Sequence, residues 1–158
     1  MDTFNGLPAH PLLVHFVVVL LPLAAICAVL SVVWPAARRK LGVITPLLAL
    51  VALVLIPLTT SAGEALDKKT PPNSLIEKHA ALGDQALIWA APLFVFAFVW
   101  WALHTRWSET KIDSLNTRPR TIATALTGLV LLIFAIGSIV MVYRIGDSGA
   151  QAVWHNPS

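Results

Sequence analysis

Four stretches of this chain carry no charged residue for about the thickness of a lipid bilayer. Pro11–Trp34, Leu41–Ala62 and Thr121–Tyr143 lack Asp, Glu, Lys and Arg over 22 to 24 residues, and Ala86–Leu103 lacks them over 18. A membrane-spanning helix uses about 20 mainly apolar residues, so each stretch is long enough to cross. Buried helices of a soluble protein rarely come four in a row with no amphipathic partner between them. The composition agrees: 57% of the 158 residues are hydrophobic and 12% charged, against about 25% charged in an average soluble domain. Too few solvated side chains remain to cover a water-facing globule.

The expectation is an all-α, polytopic membrane protein: four transmembrane helices in an up-down bundle, with N- and C-termini outside. Residues 1–158 form one domain with spans at about 11–34, 41–62, 84–104 and 121–144, an outer loop 63–83 and cytoplasmic loops 35–40 and 105–120. Sidedness follows from Lys and Arg in short connections. The first connection holds Arg38, Arg39 and Lys40 with no acid; the third holds Arg106, Lys111, Arg118 and Arg120 against Glu109 and Asp113. The middle connection has Lys68, Lys69 and Lys78 against Glu64, Asp67, Glu77 and Asp84. The net charge of +3 is therefore an orientation signal, and a nucleic-acid partner has no support. A multi-pass protein of the plasma or inner membrane is expected, with the first span retained because no basic n-region precedes it and no small-x-small site follows.

Local signals refine the spans. Pro11 suits a first helical position and Pro35 ends the first helix. Ser74-Leu75-Ile76-Glu77 has the form of a capping box, so the third helix is expected to run unbroken from Leu75 to His104, roughly 45 Å. Pro22, Pro46, Pro57 and Pro92 predict kinks. Thr121, Thr124, Gly128, Ala135 and Ser138 form a small-residue face that should meet another helix, in this chain or in a second copy. Trp89, Trp100, Trp101, Trp107 and Trp154 read as interfacial anchors. A single cysteine, Cys27, excludes an intramolecular disulfide and a Cys-based metal cluster.

On this topology His10, His15, Glu64, His79 and Asp147 gather at the outer side. His10 and His15 are five apart, about 140° around a helix, so both reach one centre only if His10 hangs off the helix mouth. Four readings stay open. The groups cap helix ends and bond one another; or His15 and His79 are the axial ligands of a b-type haem; or His10, His15, Glu64, His79 and Asp147 supply a mixed N/O set for a non-haem metal ion; or they handle protons. His104 and His155 carry no site assignment. No Gly-rich phosphate loop, nucleophile elbow or His-Glu-x-x-His helix is present, so no catalytic residue is assigned and enzymatic activity is left open. A non-catalytic accessory or scaffold subunit, homo-oligomeric or held in a larger complex by the fourth span, is the alternative. A small transporter ranks third, since no internal repeat is evident between the halves.

Leu7-Pro8-Ala9-His10-Pro11-Leu12-Leu13-Val14-His15-Phe16 resembles the opening motif of the bacterial DUF2231 membrane proteins. Gly63-Glu64, His79 and Arg144-Ile145-Gly146-Asp147-Ser148-Gly149-Ala150 resemble its later landmarks, so the likeness covers essentially the whole chain. The resemblance implies a four-helix membrane protein akin to small b-type cytochromes, with landmarks at His10, His15, Glu64, His79 and a Gly146–Gly149 turn. It also implies that Asp147 stands where many members have histidine, which shifts weight from a histidine-only scheme toward a mixed carboxylate–imidazole site.

Overall fold

A computed structural model describes residues 3–4, 7–71, 73–105 and 117–154. Two residue pairs, β1 (Thr3–Phe4) and β2 (Leu7–Pro8), form a short antiparallel ladder. The apolar runs then become long helices: α1 (Ala9–Val33), α3 (Ile44–Asp67), the consecutive α4 (Ser74–Asp84) and α5 (Ala86–Leu103), and α6 (Thr117–Trp154). Four helical stretches are long and apolar enough to cross a membrane, with α4 and α5 together forming the third. The first basic connection is itself helical, α2 (Pro35–Leu41). Pro35 at its first position needs no N–H there.

Each long helix packs on its neighbours in the chain, and α1 closes the ring against α6. Successive helices run in opposite directions. One end collects His10, the α3 C-terminus, α4 and the α6 C-terminus; we call it the histidine end. The other collects Arg38, Thr45 and Trp100 around the α1–α3 connection, and we call it the basic end.

Small side chains share the core with Leu21, Ile56, Leu93 and Leu131. Ala24, Ala25 and Ala28 of α1, Ala49 and Ala52 of α3, Ala90 and Ala97 of α5 and Ala135 of α6 are buried. Phe16, Val19, Ile88, Ile122, Ile133 and Ile136 are more than half exposed. Lipid tails are as apolar as leucine, so large side chains gain little by turning inward; small ones inside let backbones approach and gain dispersion contacts. Two tryptophans extend this packing, with Trp89 lying on Gly137 and Trp100 on Gly128. These two contacts set the antiparallel register of α5 and α6.

Several local expectations need correction. The third unit is not one unbroken helix: Gln85 interrupts it, with i→i−3 bonds from Gln85 N to Leu82 O and from Ile88 N to Gln85 O. A 3₁₀-like tightening of this kind suits the weak helix formers Gly83 and Asp84. Its N-cap is Asn73, whose side chain accepts from Leu75 N at 2.9 Å, rather than Ser74. α1 begins at Ala9, two residues before Pro11. The expectation that prolines would not break the spans holds at Pro22, Pro57 and Pro92, where the helices continue, while Pro46 lies in the first turn of α3, where no intrahelical N–H bond is lost. α6 runs through Gly146–Gly149 with no turn there and reaches Trp154. As expected, the small-residue face meets other helices, here within this chain, with Gly128, Ala135 and Ser138 buried in the bundle. Trp100 is buried against α6 and so is more than an interfacial anchor. Arg106, Trp107, Glu109, Lys111, Asp113 and His155 lie outside the described residues.

Candidate functional site

His10 sits in the first turn of α1 and His79 in the second turn of α4. The His10 Nδ1–H donates to the Thr59 carbonyl of α3 at 2.9 Å. The His79 Nδ1–H is shared between the Ile145 carbonyl of α6 at 3.1 Å and the Ser148 hydroxyl at 3.0 Å. Ser148 Oγ in turn donates to the Ile145 carbonyl at 2.9 Å, which closes a three-membered polar cluster. A carbonyl only accepts, so each ring holds its proton on Nδ1 and carries its lone pair on Nε2 when neutral.

The two histidines use the same local device. Thr59 is followed four residues later by Gly63, and Ile145 four residues later by Gly149. A Cβ on Gly63 would lie 2.9 Å from His10 Cε1, and one on Gly149 3.1 Å from His79 Cε1. Each glycine therefore bares a helix carbonyl to an imidazole edge. In both halves of the chain a histidine in an early turn of one helix bonds a carbonyl near the end of the next long helix. This is a recurrence of contact that the amino-acid sequence does not display as a repeat.

The two devices meet. The rings of His10 and His79 are edge-to-face, with centroids 6.3 Å apart and planes at 83°. Both are half-buried. No hydrogen bond among the described residues engages either Nε2.

The remaining expected site residues are elsewhere. His15 is exposed, and its Nδ1 bonds the Pro11 carbonyl of its own turn. The α1 helix carries it about 140° away from His10, so His15 and His79 do not form a facing pair here. Glu64 is exposed. Asp147 is exposed on α6 and accepts from Gln151 Nε2 at 2.9 Å, and it lies within the helix rather than in a turn. Among the described residues no group of three or more His, Cys, Asp or Glu side chains is placed to hold a metal ion. The five-residue mixed set is thus not assembled, and what is assembled is a pair. Ser148 and Thr59, both buried, belong to that pair's surroundings and were not singled out by their sequence context. The signal that finds them is a glycine four residues after the acceptor carbonyl.

The sequence model of the family described as predicted membrane protein DUF2231 matches residues 6–157. No curated protein and no solved structure matches the chain. The chain belongs to the DUF2231 family of predicted membrane proteins.

Proposed function

We propose that this multi-pass protein of the cell membrane holds a redox-active metal group between His10 and His79, with b-type haem as the first candidate. The supporting observation is the facing pair of imidazoles, each locked in one tautomer by a carbonyl. Ligating histidines almost always give their second N–H to such an acceptor, which orients the ring and raises its basicity. If a metal group is bound, His10 and His79, whose ring centres are 6.3 Å apart, would hold it through Nε2 and it would supply electron-transfer chemistry. A bare zinc ion takes three or four protein ligands. Two imidazoles better suit an iron that brings four equatorial nitrogens of its own, as in haem.

Purified protein loaded with hemin should then show a Soret band with redox-sensitive α and β bands. His10→Ala and His79→Ala should each abolish it, whereas His15→Ala, Glu64→Gln and Asp147→Asn should leave it in place. A flat spectrum after loading sinks the haem reading, and stoichiometric metal by elemental analysis of that sample would move the pair to a non-haem ion. Neither signal would leave the accessory-subunit reading ahead.

The histidine end is read as the outer side because Arg38, Arg39 and Lys40 cluster at the opposite end. A reporter fused after Lys69 should respond from outside the cell and one after Arg39 from inside; the reverse result overturns this sidedness.

A further inference from the structure

We propose that the cavity at the basic end binds the phosphate group of an anionic phospholipid headgroup. This rests on residues separate from the histidine pair and does not depend on it. The cavity encloses about 590 Å³ among Ser31, Arg38, Arg39, Thr45, Trp100 and His104, within the usual range of small-ligand sites.

Four features of its wall favour an anion. Arg38 and Arg39 bring two guanidinium groups, and among the described residues no carboxylate pairs with either. The Arg38 guanidinium stands 5.7 Å over the Trp100 ring, which holds it at the cavity instead of free in water. Two residues of the wall carry buried donors that have no partner among the described residues, Thr45 Oγ1 and Trp100 Nε1. Thr45 is 3% and Trp100 6% exposed. Orphaned buried polar groups are costly and uncommon, and here two of them belong to residues bordering one cavity. Finally, α3 starts here, at Ile44, with N-cap Val43 giving no side-chain cap, so the positive end of a 24-residue helix lies at the same region.

The second cavity indicates why a lipid is favoured over a free anion. It holds about 690 Å³ between α1, α5 and α6, is lined by Val32, Leu103, Ala125 and Leu129, and shares Trp100 and His104 with the first. A cavity with guanidinium groups in its wall, adjoining a more apolar groove through Trp100 and His104, matches a headgroup continued by an acyl chain. Basic pockets between membrane helices bind anionic headgroups by this combination.

The test uses the full chain, delipidated in an uncharged detergent, and isothermal titration. Dihexanoyl-phosphatidylglycerol should bind saturably. Dihexanoyl-phosphatidylcholine should bind at least about tenfold more weakly, because its choline sets a cation beside Arg38 and Arg39. Arg38→Gln and Arg39→Gln should each weaken phosphatidylglycerol binding by about tenfold, the scale of one charge-assisted hydrogen bond. Thr45→Val should weaken it severalfold without lowering the melting temperature of the unliganded protein, which separates a binding role from a folding one. Inorganic phosphate binding as tightly as the lipid keeps the phosphate site and makes the soluble anion its ligand. Equal affinity for the two lipids, or unchanged affinity in both arginine variants, overturns the proposal.

Discussion

The two ends of the bundle treat their buried polar groups differently. At the histidine end, the His10 and His79 Nδ1 atoms and the Ser148 hydroxyl are all hydrogen-bonded within the chain. At the basic end, Thr45 Oγ1 and Trp100 Nε1 have no partner among the described residues. The tryptophan seats differ as well. A Cβ on Gly137 would come within 2.0 Å of the Trp89 ring, whereas one on Gly128 would come no closer than 2.9 Å to that of Trp100. The first half is the more tightly seated, and its Nδ1 and Ser148 donors are bonded within the chain; the second is looser and holds two donors with no bond among the described residues.

Methyl groups added at the two glycines probe this contrast most strongly. Gly137→Ala should destabilise the detergent-solubilised protein by about 2–3 kcal/mol, since the Trp89 ring must leave its seat, a typical overpacking cost. Gly128→Ala should cost less than about 1 kcal/mol, because helix propensity favours alanine by nearly that amount and the clash is milder. Apparent melting temperatures would check both, and equal losses at the two sites would remove the packing half of the contrast.

Smaller effects test the polar half. Ser148→Ala removes a hydroxyl that both donates and accepts, and should cost about 1 kcal/mol. Thr45→Val removes a buried hydroxyl with no partner and should be neutral or slightly stabilising in lipid-free protein. If both variants lowered the melting temperature alike, the hydroxyl of Thr45 would have a structural partner after all.

Much of the architecture is legible in the order of residues, and the reason is physical. A charge-free run of about 20 residues has few alternatives to a spanning helix, so the four helical units follow from Pro11–Trp34, Leu41–Ala62, Ala86–Leu103 and Thr121–Tyr143. Element ends are less legible. Asn73 caps α4 although Ser74 fits the motif better, and Gln85 breaks a run that composition leaves whole. The candidate site is legible only as a region. His10 and His79 were both visible as polar residues near one end, but spacing alone made His15 as eligible as His10. Rotation of α1 about its axis decides between them, and that rotation is set by packing against α3, where Gly63 admits His10. The same limit hid Trp100, since a tryptophan near the end of a span reads alike whether it faces lipid or α6.

α6 touches both special regions, Trp100 through Gly128 and His79 through Ser148 and Gly149. Twenty residues separate Gly128 from Ser148, about 30 Å of helix and thus about the hydrocarbon thickness of a bilayer. A helix spanning the bilayer over this length would set the two regions at opposite faces of it. A lipid in the cavity beside Arg38 would then come from one monolayer, and a ligand of His10 and His79 from the other side. Changing the lipid composition of a single leaflet would address one region while the other keeps its surroundings.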